Sequence, residues 1–566
     1  MSETDDTLPN GGRQTGARVL VAELVRHGVE RIFCVPGESY LAVLDALIDR
    51  PDISIVTCRH EGGAAMMAEA WGKLTGRPGV VFATRGPGAT NASAGIHVAR
   101  QDSTPLILFV GQIARDARER EAFQEIDLRA TFSSLAKWAT EIDNPARIPE
   151  FVGRAFQTAT SGRPGPVVVG LPEDMLEEEV SAPAARRYAP AQARMAAEDA
   201  GTVTDALRAA LRPVLIVGGG GWSSEAARDV RRLAEAWRIP AVATFRCQDY
   251  LDNRSESYIG TLGLGANPTL LAAVRESDLV LALGTRLEDV STNGYTLFGI
   301  PLPEQRIIHV HADAGEIGRV MQPWRGIVSG ARAALERLAE VPPPTQAAWA
   351  TRTSALRQAY LEWTTPPTVP GPLQVGEIIT HLRERLPDDA TISNGAGNFA
   401  IWPNRYFRYR NFGSMLAPAS GSMGYAIPAA VAAKIAYPDR VVIAFTGDGD
   451  FLMTGQELAT AARENAPIIV ILVNNGMYGT IRMHQETHYP ERVSATSLTN
   501  PDFVRLAEAY GAMGERITHT AQFADAFERA LACGRSALLE LALDPDIITP
   551  TQTITALRAA KKTARN

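Results

Sequence analysis

The chain has 566 residues, 45% of them hydrophobic and 21% charged, with a net charge of −7. Such a composition is ordinary for a folded globular protein, and the length exceeds what one hydrophobic core supports. The acidic balance argues against a dedicated nucleic-acid binder, and no apolar run approaches the ~20 residues that span a bilayer.

The first ten residues, MSETDDTLPN, are polar and acidic, unlike a secretory signal or an Arg-rich transit peptide. Residues 1–14 therefore read as a disordered leader, and the protein as cytoplasmic. Cys34, Cys58, Cys247 and Cys533 form no C-x-x-C pair, which suits reduced thiols in that compartment. From Arg31 onward one pattern recurs: a short β-rich apolar run, a glycine-containing turn, then helical periodicity. The first set is RIFCVPG, ISIVTCRHE, GVVFATRGPG, PLILFVGQ and PVVVGLPED. None alternates strictly, as expected of parallel strands covered on both faces.

An Ala-, Pro- and charge-rich stretch around residues 180–200 reads as a linker. A second set follows: PVLIVGGGG, IPAVATF, DLVLALGTR and IIHVHAD. Beyond the Pro-rich stretches VPPPTQ and TTPPTVPGP comes a third: ATISNGAG, RVVIAFTGDGD, PIIVILVNNG and ALLELALDP. The parse is an α/β fold of three doubly wound parallel-sheet domains, at 15–180, 195–342 and 372–550. Residues 551–566 are left as a C-terminal tail, whose Lys561, Lys562 and Arg565 read as a solvated helix end.

The segment from Val441 to Tyr478 is the most informative. One buried strand runs into Gly447-Asp448-Gly449, and the next ends in Asn474-Asn475-Gly476. In a parallel sheet both ends emerge on the carboxyl edge, where open α/β folds bind ligands. Asp448 and Asn475 would then face a gap that one cation could fill. A carboxylate and an amide oxygen are hard donors, so Mg²⁺ or Ca²⁺ is expected, with phosphates and water completing the shell. The flanking glycines let backbone N–H groups approach a diphosphate.

Together, GDG and NN with 24 residues between Gly449 and Asn474 resemble the signature of thiamine diphosphate enzymes. Further segments resemble their acetolactate synthase-like branch, over roughly residues 15–550. The resemblance implies a pyrimidine-binding, a middle and a diphosphate-binding domain, matching the three sets. It also implies active sites between subunits, hence a homodimer or homotetramer. Mg²⁺ would be held by Asp448, Asn475 and the backbone carbonyl of Met477, beside Gly447, Gly449 and Asp450 on the cofactor.

Glu61, in TCRHEGGAAMMAEAW, is similar to the family's glutamate, which bonds the pyrimidine and drives its tautomerisation. That role needs a carboxyl group in a dry pocket. Gly395-Ala396-Gly397-Asn398 resembles a second diphosphate-contacting turn. In Gly421-Ser422-Met423-Gly424, Gly421 would offer a carbonyl to the cofactor's amino group, and Met423 would be the wedge that bends it. A thioether suits a wedge because it is apolar and deformable.

Gly86-Pro87-Gly88-Ala89-Thr90-Asn91 and Ala122-Phe123-Gln124-Glu125 also match synthase segments. They place Phe123 and Gln124 in the substrate pocket. Lys137 resembles a pocket lysine, with an exposed lysine as the competing reading. Arg286 resembles the arginine that receives a second substrate's carboxylate, with an ion pair to Glu288 or Asp289 as the alternative.

The pocket also departs from the family. Met483 and His484 stand near the positions of a Gln and a Trp. Pro36-Gly37-Glu38-Ser39 replaces P-G-G, with Gly37 still facing the pocket, and Arg85 replaces a small residue. His60 stands alone beside Glu61, without the paired histidines of pyruvate decarboxylases. Many synthases also carry FAD on the middle domain. Gly218–Gly221 could lie under it, but the family's M-H-G is replaced by Gly263-Leu264-Gly265, and FAD stays open.

The function implied is a carboligase that decarboxylates a pyruvate-like 2-keto acid and transfers the resulting enamine to a second carbonyl compound. A 2-keto acid decarboxylase, or a lyase of 2-hydroxyketones or 1,2-diketones, is the alternative on the same frame. A non-catalytic role would be signalled by loss of Glu61, Asp448 or Asn475, and all three are present. Small carbonyl compounds are the expected partners, with neither nucleic acid nor membrane among them.

Overall fold

The computed structural model describes the backbone of residues 12–565 and the side chains of residues 12–560. Of the leader expected over residues 1–14, residues 1–11 lie outside the described residues, as do the side chains of Lys561, Lys562 and Arg565. The chain divides into two compact units, one up to Ala191 and one from Gln192 on. Among the described residues no helix is long and apolar enough to cross a membrane.

The first unit holds one six-stranded sheet, ordered Ser54–Thr57, Arg31–Cys34, Gly79–Thr84, Leu106–Gln112, Pro166–Pro172 and Trp138–Glu141. Every pairing is parallel. The inner strands Leu106–Gln112 and Pro166–Pro172 are buried along their whole length, which explains their unbroken apolar runs. Gln14–Thr15 is already paired, antiparallel, with Glu179–Val180. Residues 181–196 carry neither helix nor strand.

The second unit holds two parallel sheets. One is ordered Tyr258–Thr261, Ala241–Ala243, Pro213–Val217, Leu279–Leu283, Arg306–His311 and Arg325–Val328. The other is ordered Met415–Leu416, Thr391–Asn394, Val442–Gly447, Ile469–Asn474, Ala537–Ala542 and Met513–Ile517. The latter repeats the strand order of the first unit's sheet, with the connection reversing direction beside the first strand. The region between the Pro-rich stretches is more than a connection. Ala350–Trp363 forms a helix whose Tyr360, with Trp349 just before it, enters the middle core. Its Arg357 is spent on the carbonyls of Asn253 and Tyr258. Beyond residue 550, Gln552–Thr553 pairs with Ile547–Thr549, and a helix runs over Ile554–Arg565.

Candidate active site

In the first unit, four motif segments meet at the carboxyl edge of the sheet. Helix Glu61–Thr75 starts where His60 caps it, accepting from Gly62 N at 3.0 Å, so Glu61 is its first residue. Helix Arg85–Asp102 crosses it closely: a Cβ on Gly95 would lie 2.4 Å from that of Ala65. This approach brings Asn91 to Glu61, where Nδ2 donates to Oε2 at 3.0 Å. Glu61 is 9% exposed, and a side chain at Gly88 would stand 3.2 Å from its Oε1. The carboxyl group is thus walled, anchored by one amide, and has one oxygen against a glycine.

Thr84 ends one of the two strands, and Gly37 lies three residues beyond the end of the other, at the point where the chain reverses direction across the sheet, the place where such folds form their crevice. They touch so closely that a Cβ on Gly37 would sit 2.5 Å from that of Thr84. The Thr84 hydroxyl pairs with Ser39 Oγ at 2.7 Å. The loop carrying Phe123 and Gln124 docks on the same edge, as the Gln124 carbonyl accepts from Gly86 N at 2.9 Å. Phe123 is largely exposed.

Lys137 departs from the pocket role that the resemblance implied. It precedes strand Trp138–Glu141, at the amino edge of the parallel sheet, and donates to the carbonyls of Thr158 (2.6 Å) and Ser161 (2.7 Å). Its stem also packs against Gly165. It is a structural lysine that closes the turn after helix Ile148–Thr160.

In the second unit, Asp448 opens a helix at the end of strand Val442–Gly447 and is 3% exposed. Its Oδ1 accepts from Gly449 N at 2.9 Å, and its Oδ2 from Gly476 N at 2.9 Å and Asn500 Nδ2 at 2.8 Å. Burial raises its pKa, opposed by these donors. Asn500 also donates to Asn474 Oδ1 at 3.0 Å, while its own Oδ1 is buried without a partner among the described residues. Sequence reasoning missed Asn500, which carries no motif signal.

Met477 forms an isolated bridge with Ser497. The bonds belong to its neighbours, Tyr478 N to Thr496 O at 2.9 Å and Leu498 N to Gly476 O at 2.8 Å. The Met477 carbonyl therefore takes no part in the bridge, and Asn475 is half-buried. A buried carboxylate and an orphaned amide oxygen on the residue bonded to it are hard oxygen donors, chemistry that fits a small divalent cation. Gly476, at φ 69° with open space around it, leaves its surroundings clear for phosphate.

Asp450 organises the neighbouring turns. Its Oδ1 accepts from Ala396 N (3.2 Å) and Gly424 N (2.9 Å), and its Oδ2 from Thr446 Oγ1 (2.7 Å). At 2% exposure, burial pushes its pKa up to about 6. A side chain on Gly395 would meet this carboxylate at 2.2 Å, so that position must be glycine. One residue thereby ties the 395–398 turn to the 421–424 turn, where Gly421 is exposed and Met423 half-buried. Arg246, from the middle sheet's loop, adds bonds to the Asn394 side chain and to the Gly395 carbonyl (3.2 Å). It too has no counterpart in the sequence motifs.

Asn398 reaches the next helix. Its Oδ1 accepts from Thr480 Oγ1 at 3.0 Å, and its Nδ2 lies 3.6 Å from the Met483 sulfur. Met483 is thus drawn to the site, whereas His484 is exposed and faces His488 with ring centroids 6.3 Å apart.

In the middle sheet the reversal lies between strands Pro213–Val217 and Leu279–Leu283, so Gly218–Gly221 and Arg286 both sit there. The turn is filled from within. A Cβ on Gly218 would fall 1.8 Å from Thr244 Oγ1, and Trp222 Nε1 donates to Gly218 O at 2.8 Å. The Tyr250 hydroxyl takes the Gly219 carbonyl at 2.8 Å. Gly218 and Gly219 are explained by packing, while Gly221 faces open space. Arg286 is half-buried.

Comparison with known proteins agrees with this layout. Family models match residues 14–131 (thiamine pyrophosphate enzyme, N-terminal TPP binding domain), 201–338 (central domain) and 395–541 (C-terminal TPP binding domain). The chain is 35% identical over 539 residues to an acetolactate synthase of Mycobacterium bovis, covering 92% of this chain and 86% of that one. It is 34% identical to an acetolactate synthase large subunit of Parasynechococcus marenigrum, covering 89% and 83%. It is 32% identical to the acetolactate synthase isozyme 2 large subunit of Escherichia coli, covering 94% and 95%. The chain belongs to the thiamine diphosphate enzymes, in their acetolactate synthase-like branch.

Proposed function

We propose that the protein is a thiamine diphosphate- and Mg²⁺-dependent carboligase. It decarboxylates a pyruvate-like 2-keto acid and joins the remaining carbon unit to a second carbonyl compound. The observation that carries this reading is the Asp448 cluster, with buried hard donors at the reversal point of a sheet whose neighbouring turns are tied together by Asp450. When bound, thiamine diphosphate supplies the carbon nucleophile and electron sink for bond changes beside a carbonyl.

The chain's own residues bind, orient and exclude water. Asp448, Asn475 and the Met477 carbonyl would hold the metal, and the 395–398 and 447–449 backbones would hold the diphosphate. Gly421 and Met423 would position the aminopyrimidine, and Glu61, steadied by Asn91, would hold a proton on its carboxyl group. We assign pyrimidine binding to domain 15–180 and diphosphate binding to domain 372–550, with 195–342 between them. A homodimer or homotetramer in the cytoplasm completes the reading. Its support is the family membership and the burial of Cys34, Cys58 and Cys247.

The test incubates the full-length protein with thiamine diphosphate, Mg²⁺ and a panel of 2-keto acids. Carbon dioxide release together with a coupled hydroxy-keto product is expected. Release without coupling would replace the carboligase by a decarboxylase, and cleavage of 2-hydroxyketones alone by a lyase.

A further inference from the structure

Two of the pocket's departures from its family meet in space. Arg85 Nη1 donates to Glu38 Oε1 at 3.1 Å, although 47 positions separate them, and Nη2 donates to Glu173 Oε2 at 2.6 Å. The three residues follow the ends of three parallel strands, Arg31–Cys34, Gly79–Thr84 and Pro166–Pro172, so all lie on one carboxyl edge. Glu38 and Arg85 directly follow Gly37 and Thr84, whose contact marks the crevice, and Thr84 also borders Gly88 beside Glu61.

The partners differ in how firmly they are held. The Arg85 side chain is 9% exposed, while those of Glu38 and Glu173 are 69% and 39% exposed. A buried guanidinium needs an anion beside it at all times. A carboxylate as exposed as Glu38 is weakly held and is readily released to water. Arg85 Nε is buried without an acceptor among the described residues, so the guanidinium has donor capacity left beyond its two ion pairs.

We propose that Arg85 is a carboxylate receptor of the active site and that Glu38 is its exchangeable counter-ion. An incoming 2-keto acid carboxylate takes Glu38's place on the planar guanidinium, while Glu173 stays and Glu38 turns to solvent. Arginine suits this exchange because its donors match two carboxylates at once. Two substitutions that look independent along the chain are then one device: the added charge and the added counter-charge that keeps it buried. The inference rests on the carboligase reading, whose substrates bring the carboxylate.

The test compares Arg85→Gln and Glu38→Gln with the parent, each as full-length protein with thiamine diphosphate and Mg²⁺. Arg85→Gln should raise KM for pyruvate at least about tenfold while leaving KM for an uncharged aldehyde acceptor in place. A loss in carbon dioxide release assigns Arg85 to the donor. A loss confined to coupled product assigns it to the acceptor. Glu38→Gln, which removes the internal competitor, should lower KM for the same carboxylate.

A binding arm is independent of turnover. Calorimetric titration with oxamate, an unreactive isostere of pyruvate, should show weaker binding to Arg85→Gln and tighter binding to Glu38→Gln. If the parent turns over no 2-keto acid, the carboligase reading falls and the oxamate titration still decides the receptor. Oxamate affinity unchanged in both variants, or no binding to the parent, overturns the inference. Should Arg85→Gln fail to fold by circular dichroism, Glu38→Gln decides alone.

Discussion

Glu61 and Asp450 are both buried carboxyls, yet their surroundings assign them different work. Glu61 has one amide donor and a glycine wall, the setting in which we propose its proton-transfer role. Glu61→Gln keeps an oxygen for Asn91 and should bind cofactor normally while losing about 10²–10⁴-fold in carbon dioxide release. Undiminished release, measured beside cofactor affinity, would remove Glu61 from the chemistry. Asp450 instead accepts three hydrogen bonds. Asp450→Ala would orphan three donors at a cost of about 1–3 kcal/mol each, whereas Asp450→Asn retains the oxygen that Ala396 and Gly424 share.

The pH dependence of Asp450 separates the same variants. Its folded pKa, about 6, lies above the ordinary carboxylate value of 3.8. Its contribution to the cofactor-free protein is therefore fully present below pH ~3.8 and lost as pH rises through about 6. Thermal melts of the cofactor-free protein across that window should show this slope in the parent and lack it in Asp450→Asn. An identical slope in both would place the titrating group elsewhere.

At the scale of elements, the helix Ile554–Arg565 is clamped onto the helix Gly479–His488 through one buried acid. Glu486 receives Arg558 at 2.6 and 2.9 Å and Arg482 at 2.9 Å, and Arg558 leads in holding its pKa down at about 2. A depressed acid stabilises above its unfolded pKa and loses that contribution as pH falls through about 2, so the clamp is complete at neutral pH. Arg558→Met should release it. Amide exchange over residues 552–560 is expected to accelerate roughly tenfold or more, with the strand Val442–Gly447 unaffected. Equal exchange in both regions would mean the helix is held by its apolar face instead.

Element by element, legibility followed burial. The runs read as strands are mostly the inner ones, buried on both faces. The unread strands of the three six-stranded sheets are Trp138–Glu141, Tyr258–Thr261, Arg325–Val328, Met415–Leu416 and Met513–Ile517, and every one lies at the edge of its sheet. Arg325–Val328 has three of four residues exposed, and Met513–Ile517 one of five buried, so neither leaves an apolar signature. Helix Ala350–Trp363 was hidden because Pro-rich stretches flank it and its buried Arg357 reads as a surface charge.

For the whole molecule, metal and cofactor should couple to stability, because a ligand that binds only the folded state stabilises it by mass action. At a hundredfold excess over Kd the gain is about 2.7 kcal/mol. Thiamine diphosphate with Mg²⁺ should therefore raise Tm, EDTA should reverse the rise, and Asp448→Ala should abolish it. A rise that survives in Asp448→Ala would take that carboxylate out of the metal site.

The amino-acid sequence by itself determined the three parallel sheets and the cofactor class. Both are written locally: in apolar runs long enough to be buried on two faces, and in short motifs that end strands. Only the tertiary structure decided which distant residues share an edge. It joined Asn500 to Asp448, Asp450 to Gly424, and Glu38 and Glu173 to Arg85, and it sent Lys137 to the opposite end of its sheet. Strand order sets those neighbours, and strand order depends on how crossovers pack rather than on any residue's own preference.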